Sequence, residues 1–199
     1  MKIGVYGGSF NPVHFGHIGL AKWVVEHTDL DEVWLMVSPN NPLKNTDELA
    51  PEQERLAGVR NAIKGIPGLY ASDFEFALPR PSYTANTLRE LQKKYPQHQF
   101  TLIIGEDNWT IFNQWREYAY ILDHFPIIIY PRHPLNSITT GSETEQKPSR
   151  NRAETDLNRW QTEGKQVVSY LNDAPYFDVS STELRRCSRR RLASPGLKS

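Results

Sequence analysis

The sequence predicts an α/β protein: a Rossmann-like, doubly wound parallel sheet with helices on both faces, a three-layer α/β/α single domain over residues 1–199. Three observations predict this fold. Short apolar runs typical of buried strands alternate with longer segments of helical periodicity. Glycine, proline and polar residues separate these segments. The length of 199 residues suits one domain with a sizeable core.

The strands are expected where apolar residues run together between turn residues. The predicted strands are, in chain order, Lys2–Tyr6, Val33–Val37, an extended Leu69–Phe76, Phe100–Ile104, Ile127–Tyr130 and Gln166–Tyr170. Strands that alternate with helices form parallel sheets, and such sheets bind ligands at the carboxyl ends of their strands. We therefore look for functional residues directly after these strands.

The helices are expected between the strands. The predicted helices are, in chain order, about Phe15–Thr28, Glu52–Lys64, Tyr83–Tyr95, a mostly helical Asn108–Leu122, and a last helix after Thr182. Pro51 stands well at the start of the second helix, where Leu56, Val59 and Ile63 follow helical spacing. Ser82 is the predicted N-cap of the third helix.

Two segments depart from the alternating pattern. Residues 132–164 are polar and contain few core residues, so we expect a surface insertion with a short helix near Ala153–Thr162. Residues 186–199 carry five of the basic residues and no acidic one, so we expect a solvated and partly disordered basic tail.

Composition excludes several classes of protein. The chain has 23 Lys+Arg and 23 Asp+Glu residues, so its charge gives no signal for nucleic acid or a membrane surface. The sequence contains no apolar run near the roughly 20 residues of a membrane span, and no signal-peptide pattern precedes the first strand. Cys187 is the single cysteine, which fits a reducing compartment. We expect a cytoplasmic protein.

The most informative run is Gly7–His17, which reads GGSFNPVHFGH and joins the first strand to the first helix. A strand, a glycine turn and a helix start form the usual architecture of a phosphate site, because N–H groups there carry positive partial charge. Gly7 and Gly8 permit positive φ and a close backbone approach. His14 and His17, three residues apart, share one face of the first helical turn. Two imidazoles beside a phosphate could stabilise charge in a transition state.

This run resembles the signature GG(T/S)FxPxHxGH of the (T/H)xGH nucleotidyltransferases, and every fixed position of the signature is met. It is not a Walker A loop, because no Gly-Lys-Ser/Thr follows, and the GxGxxG spacing of dinucleotide-binding proteins is absent from it. A second run, Val179–Arg185, is similar to the ISSTxxR signature of the same superfamily. Taken alone, this run is better explained as a capped helix start with a surface arginine.

Two further motifs restrict the resemblance to one family within this superfamily. Pro81–Leu88 reads PSYTANTL, and Gly105–Asp107 is followed by Trp115. Both are similar to elements of the bacterial nicotinate-nucleotide adenylyltransferases. From the residues alone, Asp107 could be a helix N-cap, Thr84 a capping residue and Trp115 a core residue. Arg116 departs from the family, which often has an aromatic residue there.

The resemblance implies a set of site residues. Catalysis is assigned to His14, His17 and Arg185. ATP binding is assigned to Gly7, Gly8, Ser9, Phe10, His14, His17, Gly105, Asp107, Ser181, Thr182 and Arg185. Binding of the second substrate is assigned to Asn40, Lys44, Thr84 and Trp115. Without this resemblance, Lys44 would be interpreted as an ordinary surface lysine. The sequence shows no Cys and His residues at the spacing of a metal site, so no bound structural metal is expected.

The resemblance also implies a reaction. We expect transfer of the adenylyl group of ATP to nicotinate mononucleotide in NAD synthesis, with Mg²⁺ bound mainly through the ATP phosphates. Three alternatives stay open: a preference for nicotinamide mononucleotide, a non-catalytic nucleotide-binding paralogue, and RNA binding by the basic tail. The sequence is compatible with a homo-oligomer.

Overall fold

The computed structural model describes residues 1–39, 49–131, 168–171 and 174–175. Its strands are β1 (Lys2–Gly8), β2 (Glu32–Val37), β3 (Leu69–Ser72), β4 (Gln99–Gly105), β5 (Ile127–Tyr130) and β6 (Val168–Tyr170). Its helices are α1 (Phe15–His27), α2 (Glu52–Ala62), α3 (Thr84–Lys94), α4 (Glu106–Trp109) and α5 (Tyr118–His124), with 3-10 helices at Phe74–Ala77 and Phe112–Gln114. The predictions for the 132–164 insertion, the last helix and the 186–199 tail fall outside the described residues.

The six strands form one parallel sheet in the order β3-β2-β1-β4-β5-β6. The predicted doubly wound arrangement is confirmed. The first three strands run outward from β1 to one edge, and the chain then returns to place β4 on the other side of β1. This reversal makes the gap between β1 and β4 the topological switch point, where sheets of this type bind ligands.

Each face of the sheet carries its own apolar layer. On one face, α3, α4 and α5 pack through residues such as Leu88 and Ile121, both fully buried. On the other face, α1 and α2 pack through residues such as Val24 and Leu56. Every residue of β5 is buried, as expected of a parallel strand covered on both sides. Burying one such side chain contributes about 1.5–3 kcal/mol, so both layers hold the strands firmly.

The segment Asn108–Leu122 is mostly helical, as predicted, but it is not one continuous helix. The segment divides into the end of α4, a 3-10 helix and α5, and Glu117 adopts a left-handed φ of 56° just before α5. Phe112 explains the break, because its buried ring packs 5.3 Å from Trp115 and 6.2 Å from Tyr118. Tertiary packing of aromatic rings outweighs a weak local helix preference here.

Two other boundaries differ from the prediction. The extended segment predicted to reach Phe76 stops at Ser72, whose hydroxyl accepts the N–H of Phe74 at 3.3 Å and starts a 3-10 turn. Helix α3 begins one residue later than predicted, and the extended Tyr83 is its N-cap. Ser82 is therefore not the capping residue.

In the described part of the chain, no helix has both the length and the apolar character needed to cross a membrane.

Candidate active site

Sheets of this type have a crevice at the carboxyl ends of the two strands that flank the switch point, which are β1 and β4 here. Their ladder ends at Tyr6, which pairs with Ile103, although β1 continues to Gly8 and β4 to Gly105. Beyond Tyr6, β1 pairs only with β2, as far as the pair of Gly8 with Val37. The last two residues of both strands therefore border the switch point, which is where the first motif begins.

The loop after β1 is fixed by one buried aromatic ring. Gly7 and Gly8 end the strand instead of forming the turn, and the positive φ of 45° belongs to Phe10. The two glycines therefore do not use the positive φ that they permit. Gly8 is tightly packed, because a Cβ there would lie 3.1 Å from the Phe10 ring. A Cβ on Gly7 would meet no described atom within 4 Å, which leaves that strand end open to a ligand.

His14 and His17 stand together at the start of α1, as predicted. His14 is the N-cap, and the two ring centroids lie 3.7 Å apart. The His14 backbone N–H donates to Nδ1 of His17 at 3.3 Å, so the proton of the neutral His17 ring belongs on Nε2. The buried Phe10 ring meets the His17 ring edge-on at 5.0 Å. His17 is thereby oriented as a hydrogen-bond donor through Nε2.

This helix start suits an anion. Helix α1 has 13 residues, and its first N–H groups carry the positive end of the helix dipole. Its first turn contains no acidic side chain that would compete with a ligand. Together with two imidazoles, the arrangement can stabilise negative charge developing on a phosphoryl group.

The end of β4 supplies the other wall of the crevice. Gly105 is buried and serves as the N-cap of α4, while Asp107 follows in the first turn and is exposed. Asp107 is therefore not the helix N-cap. An exposed carboxylate just beyond a strand end can accept hydrogen bonds from sugar hydroxyls.

The start of α3 and Trp115 form a separate cluster. Thr84 is the first residue of α3, and the half-buried Trp115 packs against the same apolar layer as α3. Nε1 of Trp115 is buried, and it has no hydrogen-bond partner among the residues that the structure describes. The Arg116 guanidinium lies over the Tyr83 ring, 4.8 Å from its centroid. This cation therefore sits beside the start of α3.

Sequence reasoning missed two buried charged residues, Arg55 and Glu75. Burial raises the pKa of the Glu75 carboxyl, and the hydroxyls that bond to it act in the opposite direction. Desolvation lowers the pKa of the Arg55 guanidinium. The one available signal for Arg55 is its position four residues before Val59, on the apolar face of α2. Glu75, flanked by two phenylalanines, offers no pattern to recognise.

Five predicted site residues lie outside the described residues, namely Asn40, Lys44, Ser181, Thr182 and Arg185. Those within the described part fall into two groups. The first surrounds the crevice between β1 and β4, and comprises Gly7, Gly8, Ser9, Phe10, His14, His17, Gly105 and Asp107. The second is formed by Thr84 and Trp115.

Fold and site together define an α/β protein of the nucleotidyltransferase type, whose candidate phosphate loop, Gly7–His17, lies at the switch point of the sheet. The model of the cytidylyltransferase-like family matches residues 5–187. The chain is 42% identical over 184 residues to the probable nicotinate-nucleotide adenylyltransferase of Bacteroides fragilis (strain YCH46), covering 92% of this chain and 80% of that one. It is 47% identical over 185 residues to the probable nicotinate-nucleotide adenylyltransferase of Flavobacterium johnsoniae, covering 93% and 85%. The chain therefore belongs to the cytidylyltransferase-like family and, within it, to the nicotinate-nucleotide adenylyltransferases.

A solved structure has the same fold. The nicotinic acid mononucleotide adenylyltransferase of Plasmodium falciparum complexed with NaAD superposes with a TM-score of 0.68 and 18% identity, covering 93% of this chain and 82% of that one. At this identity the likeness supports the fold alone.

Proposed function

We propose that this protein transfers the adenylyl group of ATP to nicotinate mononucleotide, giving nicotinate adenine dinucleotide and pyrophosphate. The observation that carries the proposal is the His14–His17 pair, whose rings lie 3.7 Å apart at the start of α1, beside the switch point of the sheet, in a chain of this family. The names of its relatives support the choice of substrate.

The reaction needs position and charge more than a protein nucleophile. An oxygen of the mononucleotide phosphate forms a bond to the α-phosphorus of ATP, and the bond from that phosphorus to the β-phosphate oxygen breaks. The attacking phosphate is already anionic, so it needs no general base. His14, His17 and the backbone of Gly8–Phe10 stabilise the charge that develops on the α-phosphate. Gly105 and Asp107 border the nucleoside on the opposite side of the crevice.

The pyridine ring is assigned to the second group of residues. N–H groups at the start of α3, together with the Thr84 hydroxyl, would hold the carboxylate of the nicotinate ring, because both favour an anion. Trp115 would stack on the ring. Arg116 over Tyr83 adds positive charge near this helix start. A carboxylate gains more from these groups than an amide does, which favours nicotinate over nicotinamide.

The pyrophosphate end is assigned to residues that lie outside the described part. Ser181, Thr182 and Arg185 would hold the β- and γ-phosphates, and Asn40 and Lys44 would contact the mononucleotide. The described residues contain no group of three or more His, Cys, Asp or Glu side chains that could cage an ion. Mg²⁺ fits this site as an ion that arrives on the ATP phosphates, where it neutralises charge. We also propose that the protein is located in the cytoplasm. Its oligomeric state can be measured by light scattering.

Pyrophosphate release by the full chain tests the function. The assay contains ATP and Mg²⁺ and compares nicotinate and nicotinamide mononucleotides at equal concentration. The proposal predicts strong preference for the nicotinate form, with the dinucleotide as the second product. Preference for the nicotinamide form would contradict the substrate assignment. ATP binding without pyrophosphate release would contradict the reaction itself.

A further inference from the structure

Arg55 lies on α2, outside every motif, and only 4% of its surface is exposed. Its guanidinium donates to four backbone carbonyls. These bonds run from Nη1 to Ser9 at 2.6 Å and to Ser38 at 2.8 Å, from Nε to Ala50 at 2.9 Å, and from Nη2 to Pro39 at 3.2 Å. One side chain therefore joins three stretches of backbone: the loop after β1, the loop after β2, and the segment leading into α2.

A guanidinium is suited to this task. Its planar fork presents five donors in fixed directions, whereas the ammonium of lysine is a compact point charge on a flexible stem. Burying the cation is unfavourable, and charge-assisted bonds to carbonyl oxygens offset that cost. The Asn11 side chain supports the same junction, because its Oδ1 accepts the N–H of Ala50 at 3.2 Å.

The network continues beyond Arg55 through Ser38. The Ser38 hydroxyl donates to Oε2 of Glu75 at 2.7 Å, and the Thr87 hydroxyl donates to Oε1 at 2.8 Å. Thr87 is buried in the first turn of α3, three residues after Thr84. A continuous set of buried and partly buried hydrogen bonds thus connects the backbone of Ser9 to the start of α3.

We propose that Arg55, supported by Ser38 and Glu75, is a positioning residue that fixes the phosphate loop relative to the loop after β2 and the start of α3. This inference rests on the proposed function, in which the first of these elements meets ATP and the others meet the mononucleotide. In-line transfer depends on the mutual placement of two bound substrates, and a displacement of about 1 Å can lower the rate about 10²-fold. Disturbing Arg55 therefore affects kcat more than the affinity for either substrate.

The test compares Arg55→Lys with two controls on the same helix. Val59→Ala removes buried methyl groups one turn away and breaks no hydrogen bond of Arg55, and Arg60→Lys alters an exposed arginine that pairs with Asp73. We expect Arg55→Lys to lower kcat about 10- to 100-fold, with less than about threefold change in the Kd of either substrate. Both controls should keep kcat within about twofold of the wild-type value. This should hold even if Val59→Ala loses as much thermal stability as Arg55→Lys does.

A second, less disruptive variant keeps the test valid if Arg55→Lys does not fold. Ser38→Ala removes the hydroxyl link to Glu75 and keeps the carbonyl that Arg55 binds, so we expect a smaller loss of kcat in the same direction. If the wild type is active and the kcat of Arg55→Lys and Ser38→Ala falls no more than that of Val59→Ala, the positioning role is overturned and the proposed function is not. A wild type that turns over neither mononucleotide would overturn the proposed function and this inference with it.

Discussion

The two halves of the proposed site are built differently. The ATP half, Gly7–His17, is one contiguous segment whose shape is set by the buried Phe10 ring and by the start of α1. The mononucleotide half combines the start of α3, Ser82–Thr87, with Trp115 and Arg116 from a separate loop. The first is pinned by packing, whereas the second contains a buried indole N–H that has no partner within the described residues.

This difference separates catalysis from selection of the substrate. A histidine pair held by aromatic packing is placed before any substrate arrives, which is the condition for electrostatic stabilisation of a transition state. A half-buried tryptophan whose indole N–H has no partner among the described residues can instead complete its contacts on a ligand. Changes to the histidine pair should therefore affect kcat, and changes in the mononucleotide half should affect the KM of one substrate.

The largest effect is expected from His17→Ala. Removing a donor aimed at developing charge should lower kcat by about 10²-fold or more and change KM far less. Steady-state kinetics with both substrates check this expectation, and His27→Ala at the exposed end of α1 is the control. A folded His17→Ala variant with unchanged kcat would contradict the catalytic assignment.

The next effect distinguishes the two glycines of the ATP half. Gly8→Ala places a Cβ 3.1 Å from the Phe10 ring, so it should lower stability by about 1–3 kcal/mol and reduce kcat as well. Gly7→Ala meets no described protein atom, so it should leave thermal stability unchanged and raise the KM for ATP. Urea unfolding and kinetics of both variants test the difference. Equal loss of stability in the two would show that Phe10 does not pin the loop.

A smaller effect is expected in the mononucleotide half. Trp115→Ala should raise the KM for nicotinate mononucleotide about 3- to 10-fold, because aromatic stacking contributes about 0.5–1.5 kcal/mol. The KM for ATP should not change. Trp115→Phe retains the ring and lacks the N–H, so it separates stacking from hydrogen bonding. A rise in the KM for ATP of the same size would remove the distinction between the two halves.

The smallest effect concerns Glu75, which lies between the halves. Burial raises the pKa of this carboxyl, so the folded protein holds the proton more tightly than the unfolded chain does. Its contribution to stability is complete below the ordinary pKa near 4.5 and is lost as pH rises through the raised value. The stability of wild type relative to Glu75→Gln should therefore fall as pH increases across that window. Urea unfolding at several pH values measures this difference in the free energy of unfolding. A difference in favour of the wild type that grows with pH would contradict the prediction.

The ATP half could be predicted from the sequence because its residues are contiguous. The spacing of His14 and His17 fixed their shared face once a helix start was recognised, and the alternation of strands and helices predicted the sheet. The position of the loop could not be predicted, because it depends on Phe10 packing against Tyr6 from the strand. The role of Arg55 could not be predicted for a similar reason. Its four acceptors are backbone carbonyls, and the pattern of side chains in a sequence does not indicate which carbonyls an arginine will bind.

The most direct test of the account is a crystal structure of the full chain with a non-hydrolysable ATP analogue and nicotinate mononucleotide. The account predicts an α-phosphate oxygen within about 3.2 Å of Nε2 of His17, with the pyridine ring against Trp115 and its carboxylate at the start of α3. A triphosphate bound away from the crevice between β1 and β4, with His14 and His17 facing solvent, would contradict it.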